Sequence, residues 1–317
     1  MTTSRKDGEI PAQVAAGKKI LITGGTSGVG LETARQLVAV GADVTVVGSG
    51  ISKGQAAARS LNETVGVGQA TFLAADLSSL AAVRQLAATI NERFDRLDVL
   101  INNAGVVSTK RVETIDGNER TFMVNYLAPF VLTNELLPLL KRSEPARILA
   151  LTAALEPFAR LSWGDLQRSR RYGGLRAYAQ SKRALATYTI ELARRLRAQD
   201  SGVTANVVDP FLVQTALTSA DDVPLLFRLA RPLMIQPQTA ARWIARAALD
   251  KRFAATTGRH IMFGHRAPSP PASRSQRSAR RLWEASAAAT ELAVTDKPTA
   301  VSEDKRTSDS QLSRRPF

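Results

Sequence analysis

Residues 18–30 read KKILITGGTSGVG, a short apolar run that passes directly into a glycine-rich stretch. Apolar residues at helical spacing continue from there to Gly41, so we predict a buried strand, a turn and a helix. Glycine is needed where a backbone turns sharply and approaches a pyrophosphate, and a helix N-terminus offers free N–H groups and a positive dipole. The order of strand, glycine-rich turn and helix therefore predicts a dinucleotide-binding turn.

Outward from this turn, apolar runs keep alternating with helical patterns. We predict strands at 18–24, 42–48, 70–76, 98–105, 147–153, 202–210 and 259–264, and further helices at 52–65, 77–94, 117–142, 177–199 and 238–250. Because the strands are apolar on both faces, the sheet is predicted to be parallel and covered by helices on both sides. Right-handed crossovers then give a doubly wound, seven-stranded parallel α/β sheet of the Rossmann type in a single domain.

The two ends of the chain differ from this middle part in composition. We expect a flexible segment at 1–17, the dinucleotide-binding and catalytic domain at 18–264, a linker with a short helix at 265–293 and a disordered tail at 294–317. The first residues contain no apolar signal-peptide core, and no apolar run is long enough for a transmembrane helix. We therefore expect a cytoplasmic protein without a membrane partner.

Composition excludes several kinds of site. The 317 residues include no Cys and only two His, at positions 260 and 265, which excludes a thiol nucleophile and an iron–sulfur cluster and predicts no metal site. The formal net charge of +15 is typical of many nucleic-acid-binding proteins. Aromatic residues make up only 5% of the chain, however, which leaves few platforms on which bases could stack. We expect a small-molecule substrate and no nucleic-acid partner.

Five motifs follow one another along the chain. They are the G-x-x-x-G-x-G spacing of Gly24, Gly28 and Gly30, then AADL (74–77), DVLINNAG (98–105), FMVNYLAPF around Asn125 and YAQSK (178–182). Together they resemble the short-chain dehydrogenase/reductase family over residues 18–264. SKGQAAA (52–58) and RRLWEAS (280–286) are similar to its retinol-dehydrogenase-like branch.

The resemblance implies that Tyr178 and Lys182 carry the chemistry. They are four positions apart on a predicted helix, so both face the same side. A free phenol has a pKa of about 10 and a nearby ammonium favours the ionised form, so we expect Lys182 to lower the pKa of Tyr178. Tyr178 then takes or gives a hydroxyl proton while hydride moves to or from the cofactor. Asn125 matches the family's asparagine that maintains a water relay to the lysine.

The same resemblance implies the cofactor contacts. The Asp76 carboxylate is expected to accept a hydrogen bond from the adenine amino group, and Lys182 to hold the nicotinamide ribose. The stretch VVGSG after the second strand has no acid to bind the ribose 2′-hydroxyl, whereas Ser49 and Lys53 can accept a 2′-phosphate, so we favour NADP(H) over NAD(H). The expected cofactor-binding residues are Gly24, Thr26, Ser27, Gly28, Val29, Gly30, Ser49, Asp76, Leu77, Asn103, Ala104, Gly105, Tyr178, Lys182, Pro210, Val213 and Thr215.

Two positions depart from the family pattern. Setting RILALTA (147–153) against the family's RIVNVSS places Thr152 on the first serine and Ala153 on the second, catalytic serine, and alanine cannot donate a hydrogen bond to a carbonyl. Thr152 is the remaining candidate donor, although successive side chains on a strand point opposite ways. Pro210-Phe211 stands where the family has Pro-Gly, so we expect Phe211 to crowd the nicotinamide or to form a wall of the substrate pocket.

These departures leave three functions open. The first is an NAD(P)(H)-dependent oxidoreductase that interconverts an alcohol and a ketone. The second is a related enzyme that uses Tyr178 for non-redox acid/base chemistry, such as cyclisation, dehydration or isomerisation, in a biosynthetic pathway. The third is a non-catalytic nucleotide-binding homologue.

The substrate pocket is expected to come from residues 154–176 and 211–236, whose aromatic residues suggest a large, mostly apolar or aromatic ligand. The candidate pocket residues are Ala153, Phe158, Trp163, Tyr172 and Phe211. The resemblance also implies a homodimer or homotetramer in which the helices 117–142 and 177–199 pair across a two-fold axis.

Overall fold

Eight strands form one sheet in the computed structural model, which describes residues 14–63, 66–213 and 234–292. The strands are β1 Lys19–Thr23, β2 Asp43–Gly48, β3 Gln69–Ala74, β4 Val99–Asn102, β5 Ala146–Leu151, β6 Val203–Asp209, β7 His260–Met262 and β8 His265–Ala267. The helices are α1 Gly28–Ala39, α2 Ile51–Asn62, α3 Leu80–Arg93, α4 Arg120–Phe122, α5 Ala128–Lys141, α6 Gly174–Ala198, α7 Pro237–Leu249 and α8 Gln276–Ala289.

The strand order is β3-β2-β1-β4-β5-β6-β7-β8, and all neighbours are parallel except β7 and β8. The predicted doubly wound sheet is therefore confirmed. Successive connections run outward in one direction from β1 to β3 and in the other from β4 onward. The switch point lies between β1 and β4, and a crevice for a ligand opens there, outside the carboxyl ends of the strands.

Both faces of the sheet carry a hydrophobic core, because strand side chains alternate between them. Leu21 belongs to the cluster formed with α3, α5, α6 and α8. Its neighbours Ile20 and Ile22 belong to the cluster on the other face, formed with α1 and α7. This alternation explains why the parallel strands read as continuous apolar runs.

The eighth strand was missing from the prediction, which extended the last strand to residue 264. The chain instead turns back at Phe263 and Gly264, which have φ values of 52° and 73°. Two successive residues with positive φ form the tight turn that suits the twist of a β-hairpin. β8 thus pairs antiparallel with β7 through Met262 and His265.

The helix predicted at 117–142 is interrupted. It begins with α4, passes through a π-helical turn at Met123–Leu127 and continues as α5. Pro129 has no N–H to donate to the carbonyl of Asn125 four residues earlier, which accounts for the wider turn at this point. The interruption places Asn125 in the π-helical turn.

Residues 265–292 pack against the rest of the fold, although they were expected to be a linker with a short helix. They contain β8, a 3₁₀ turn at Pro271–Arg274 and the helix α8. Leu282 and Trp283 of α8 are buried in the core cluster that includes α5 and α6. The expected tail at 294–317 and the expected N-terminal segment up to residue 13 lie outside the described residues.

One helical stretch among the described residues, Arg120–Lys141, has the length and mean hydropathy, 1.2, of a helix able to cross a membrane. In this structure 78% of its most apolar window is buried inside the fold. Core helices of folded domains commonly share this composition, so the stretch is accounted for by the core it fills.

Candidate active site

The glycine-rich turn after β1 has a backbone that only glycine tolerates at two key points. Gly24 has a φ of 65°, and a Cβ atom added there would lie 2.8 Å from the Cα of Ala104. A Cβ atom on Gly30 would lie 2.3 Å from the carbonyl oxygen of Gly24. The turn is therefore packed against the end of β4 and against the first turn of α1, as a close approach to a phosphate requires.

Asn103 and Thr23 hold this turn in place. The Asn103 side-chain amide donates to the carbonyl oxygens of Thr23 and Gly24 at 2.9 and 3.0 Å. The Thr23 hydroxyl accepts from the backbone N–H groups of Asn103 and Ala104 at 3.1 and 3.2 Å. The ends of β1 and β4 are thus locked together at the switch point of the sheet.

The N-terminus of α1 remains available to an anion. Its N-cap residue, Ser27, makes no side-chain capping hydrogen bond, and the first turn contains no acidic residue. Thr26, Gly28 and Val29 lie at the same end of the helix. The free N–H groups and the positive helix dipole therefore fit the phosphates of a dinucleotide.

The other expected nucleotide contacts follow β2 and β3. Ser49 is exposed after β2, and Lys53 is exposed on the first turn of α2. Asp76 is exposed after β3, and one of its carboxylate oxygens accepts from the N–H and hydroxyl of Ser78 at 2.9 and 2.8 Å. Leu77 beside it is buried. These side chains lie at the carboxyl ends of their strands, where ligands bind in such sheets.

Lys182 lies where β4, β5 and α6 meet. Its ammonium donates to the carbonyl oxygen of Leu151 at 2.9 Å and lies 5.8 Å from the centroid of the Tyr178 ring. A Cβ atom added to Gly105 would lie 3.3 Å from Lys182 Nζ and 3.6 Å from Asn125 Oδ1. The structure thus brings Tyr178, Lys182, Asn125 and Gly105 together, as the motifs predicted.

The expectation that the pKa of Tyr178 is lowered was wrong for this structure. Burial raises the pKa of the Tyr178 phenol above its ordinary value, and the negative charge of Asp209 raises that pKa further. Burial also lowers the pKa of Lys182 to about 8, an effect that Asp209 partly opposes. Desolvation disfavours the charged form of both groups and is the largest cause of both pKa shifts.

Asn125 is engaged in the fold through its side chain. Its Oδ1 accepts from the Val106 N–H at 2.8 Å, and its Nδ2 donates to the Val106 carbonyl at 3.0 Å and to the Ser181 hydroxyl at 2.9 Å. Asn125 therefore fixes the segment after β4 against α6. Its participation in a water relay stays a prediction.

Thr152 and Ala153 follow the end of β5. Thr152 is buried, and its hydroxyl oxygen has no hydrogen-bond partner among the described residues. Ala153 is half-buried and precedes the 3₁₀ turn Glu156–Phe158. The hydroxyl of Thr152 is thus a buried polar group that the protein fold itself does not satisfy.

Phe211 adopts a backbone conformation that is rare for a bulky residue. Its φ is 64°, and its N–H donates to the side chain of Asp209 at 2.8 Å. The ring, 37% exposed, lies 5.4 Å from the ring of Phe263. Pro210 and Val213 on either side are buried, whereas Thr215 lies outside the described residues. Phe211 therefore retains the left-handed backbone that glycine would favour at this point.

The remaining pocket candidates have quite different surroundings. Phe158 is 84% exposed on its 3₁₀ turn. Trp163 is half-buried beneath the Arg281 guanidinium of α8, 4.6 Å from the ring centroid. The Tyr172 hydroxyl lies 2.9 Å from the Ser108 carbonyl oxygen and 3.1 Å from Glu119 Oε1. Trp163 and Tyr172 are thus held by contacts with other parts of the chain, and only Phe158 among these three is largely exposed.

Sequence reasoning missed three residues of this site. Thr23 locks the glycine turn, and the Ser181 hydroxyl donates to the Tyr178 carbonyl at 2.7 Å while accepting from Asn125. Asp209, 2% exposed, is electrostatically coupled to both Tyr178 and Lys182. Asp209 had a signal in the sequence, because an acid at the end of an otherwise apolar strand needs a buried partner.

Comparison with known proteins gives consistent matches. The short chain dehydrogenase family matches residues 18–223. Retinol dehydrogenase 13 of Homo sapiens is 34% identical over 284 residues, which cover 86% of this chain and 84% of that protein. Polyprenol dehydrogenase of Homo sapiens is 41% identical over 199 residues, covering 62% of this chain and 60% of that protein. The solved structure of a short chain dehydrogenase from Burkholderia cenocepacia J2315 in complex with NADP is 27% identical, with a TM-score of 0.64, and the match covers 79% and 98% of the two chains.

The matched region contains the glycine turn, Asn125, Tyr178 and Lys182, which the fold places at one edge of the sheet. The match to retinol dehydrogenase 13 covers a larger share of the chain, 86%. The chain therefore belongs to the short-chain dehydrogenase/reductase family, in its retinol-dehydrogenase-like branch, and is an oxidoreductase of that type.

Proposed function

We propose that this protein uses NADP(H) to interconvert an alcohol and a ketone on a fairly large, apolar or aromatic small molecule. The observation that carries the proposal is the convergence of Tyr178, Lys182 and Asn125 beside the glycine turn. All three lie beyond the carboxyl ends of β4 and β5, next to the switch point of the sheet. A group bound at the turn would extend toward this cluster.

Tyr178 is the proton donor or acceptor of this mechanism. Because burial raises its pKa, the phenol keeps its proton at neutral pH and can deliver it to the oxygen of a ketone. In the opposite direction Tyr178 receives the proton of an alcohol only after it has itself lost one. The bound nicotinamide supplies or accepts the hydride.

Lys182 stabilises the phenolate form of Tyr178. The pKa of Lys182 is about 8, so the ammonium is its major form at neutral pH. Its hydrogen bond to the Leu151 carbonyl fixes the ammonium at the end of β5, close to the Tyr178 ring. A fixed cation near a developing negative charge lowers the barrier without reorganisation.

The preference for NADP(H) is supported by the end of β2. No acidic side chain occurs from Gly48 to Lys53, and Ser49 and Lys53 are both exposed there. A hydroxyl and an ammonium can hydrogen-bond the 2′-phosphate of NADP, whereas a protein carboxylate at this place would bind the 2′-hydroxyl of NAD. The solved relative in complex with NADP is consistent with this choice.

The apolar substrate is supported by two observations. Phe158 and Phe211 expose aromatic surface near the ends of β5 and β6. Two of the relatives are named for dehydrogenation of retinol and of polyprenol, both apolar alcohols. The same proposal places Ala153 at the position of the family's catalytic serine. Thr152 is then the remaining hydrogen-bond donor at the end of β5.

Location and partners are further proposals. The composition favours the cytoplasm and gives no reason to expect a nucleic-acid or membrane partner. A homodimer or homotetramer remains our expectation from the family resemblance.

The test uses the purified full chain, NADPH or NADP⁺, and a panel of apolar secondary alcohols and ketones as probes, with nicotinamide absorbance as the readout. Tyr178→Phe should lower kcat by about 10²–10⁴-fold and leave cofactor affinity unchanged, because only the proton carrier is lost. Product without net cofactor conversion would favour the non-redox alternative. Cofactor binding without any product from a panel of apolar alcohols and ketones would favour a non-catalytic homologue.

The matched control is Tyr188→Phe. Tyr188 is a second tyrosine of α6, buried in the core, and its hydroxyl accepts from the Asn134 amide at 3.1 Å. Full activity of Tyr178→Phe, with Tyr188→Phe equally active, would refute the role of Tyr178.

A further inference from the structure

A cluster of buried charged and titratable side chains lies behind Lys182, and the proposed proton transfer uses only its first member. The cluster consists of Lys182, Asp209, His260, Glu156 and Arg183, each no more than 3% exposed. Burying charges is costly unless each has a partner. The partners within the cluster therefore show what each charge does.

The far end of the cluster is a closed ion pair. Arg183 lies 2.8 Å from Glu156 Oε1 and also donates to the Pro157 carbonyl at 2.8 Å. Ser273 donates to the same Glu156 oxygen at 2.8 Å and accepts from Arg183. The other carboxylate oxygen lies 3.6 Å from His260 Nε2. The charge of Arg183 is thus balanced by Glu156, and the remaining members of the cluster are Asp209, Lys182 and His260.

The strand register brings Asp209 near the carbonyl that Lys182 contacts. The Thr152 N–H donates to the Val208 carbonyl at 2.9 Å, and Leu151 pairs with Val208. Lys182 donates to the carbonyl of Leu151. Because Leu151 pairs with Val208, the residue of β6 that follows this position is Asp209. Val207 pairs with His260, and Asp209, two residues further, shares their face of the sheet.

This face is the one that packs against α6. Ala205 of β6 and Ala184 and Leu185 of α6 belong to the same core cluster. The titratable groups that interact electrostatically with Asp209 are Tyr178 and Lys182 from α6, His260 from β7 and Glu156 from the 3₁₀ turn. Among them Lys182 is the cation that also lies beside Tyr178.

We propose that Asp209 is a positioning residue of the active site, whose buried carboxylate keeps Lys182 in the ammonium form that faces Tyr178. The proposal rests on the proposed function, in which that ammonium stabilises the Tyr178 phenolate. The electrostatics agree with it. Asp209 raises the pKa of Lys182 against the effect of burial, and His260 and Lys182 both oppose the rise that burial causes in the pKa of Asp209.

Asp209 also makes a hydrogen bond, and the test must distinguish the effect of that bond from the effect of the carboxylate charge. It accepts the N–H of Phe211 at 2.8 Å and so closes the turn after β6. Asp209→Asn retains an acceptor oxygen and nearly the same volume but removes the charge. Asp209→Ser also retains an acceptor for such a turn.

The experiment measures the free energy of unfolding in urea from pH 6 to pH 10 and requires neither cofactor nor substrate. The pKa of Lys182 is about 8 in the folded chain and about 10.4 when unfolded. Between these values the unfolded state binds more protons, so Lys182 makes stability rise with pH. The rise due to Lys182 is the part of the increase in unfolding free energy that wild type shows and Lys182→Met lacks. When both proteins also carry Asp209→Asn, this rise should begin at least about one pH unit lower, because a nearby opposite charge shifts a pKa by about 1–3 units.

The control is Glu119→Gln, which removes another buried carboxylate that caps α4 through the Thr121 and Phe122 N–H groups. It should leave the onset of the rise unchanged. An unchanged onset in Asp209→Asn would overturn the proposal and leave the proposed function intact, since the role of Tyr178 is tested separately by turnover.

Failure to fold is also informative. If Asp209→Asn and Asp209→Ser do not fold, the proposal requires both to fold when combined with Lys182→Met, because the unpaired buried ammonium is then removed. Unfolding in both backgrounds would assign Asp209 to the turn alone and overturn the proposal.

Discussion

The indole ring of Trp283 lies edge-on to the ring of Phe130, with 5.3 Å between their centroids. The same indole lies 5.5 Å from the Tyr188 ring and 3.9 Å from the Arg195 guanidinium. Helix α8 therefore packs against α6 and reaches α5 through this indole. These are the two helices that we had expected to pair across a two-fold axis.

Removing this side chain should destabilise the fold and expose the covered faces. Trp283→Ala should lower the free energy of unfolding by about 3–5 kcal/mol, as other large-to-small substitutions in cores do. Trp283→Phe should cost less, because the buried indole N–H has no hydrogen-bond partner among the described residues. Urea denaturation measures both.

Light scattering then examines the covered surface. Wild type should not associate through α5 and α6, whereas Trp283→Ala should show a mass above that of wild type at the same concentration. Arg277→Ala, on the exposed side of α8, is the control and should behave as wild type. A wild-type dimer that Phe130 or Tyr188 substitutions dissociate would contradict this account.

The glycine turn gives a second prediction. A side chain at Gly24 meets both a left-handed backbone and the Cα of Ala104 at 2.8 Å, so Gly24→Val should displace the turn from its phosphate-binding geometry. Calorimetry with NADPH should show affinity reduced by at least about 100-fold or lost, since the turn supplies the backbone N–H groups. Gly164→Val is the control, because nothing lies within 4 Å of an added Cβ and its φ is not positive. Wild-type affinity in a folded Gly24→Val protein would contradict the assignment.

The parts of the fold that sequence predicted are those with local signals. The glycine spacing of the first turn and the four-residue spacing of Tyr178 and Lys182 depend on neighbouring residues only. By contrast, Ser273 reaches Glu156 across 117 positions, and Tyr126 reaches Ser286 across 160. No periodicity encodes such contacts, so the docking of α8 was missed. The pKa of Tyr178 was misjudged for the same reason, because burial is a property of the assembled fold.

Phe211 supplies a third prediction, about backbone strain. A left-handed conformation costs a non-glycine residue about 1–2 kcal/mol, and Phe211 has a φ of 64°. Phe211→Gly and Phe211→Ala both lose the contact with Phe263, so the difference between them reports the backbone alone. Phe211→Gly should be more stable than Phe211→Ala by about 1 kcal/mol in urea denaturation.

A helical position provides a control of opposite sign. Arg242 is exposed in the middle of α7, where Gly should be less stable than Ala by about 1 kcal/mol. If Phe211→Ala were as stable as Phe211→Gly, the left-handed backbone at Phe211 would be an unstrained feature of the turn.

The end of β5 provides the last prediction, which concerns the donor of a hydrogen bond to the substrate oxygen. Under the proposed function Ala153 stands where the family has its catalytic serine, so Ala153→Ser should restore a donor and raise ketone reduction. The gain is bounded by the factor of about 10²–10³ that such a donor typically contributes.

Thr152→Val tests the alternative donor, because it removes the hydroxyl at nearly constant volume. Since that hydroxyl is buried without a partner among the described residues, its loss should not destabilise the fold. Unchanged kcat in Thr152→Val with a gain in Ala153→Ser would assign the missing donor to position 153. A large loss in Thr152→Val with no gain in Ala153→Ser would instead show that the end of β5 presents Thr152 to the substrate.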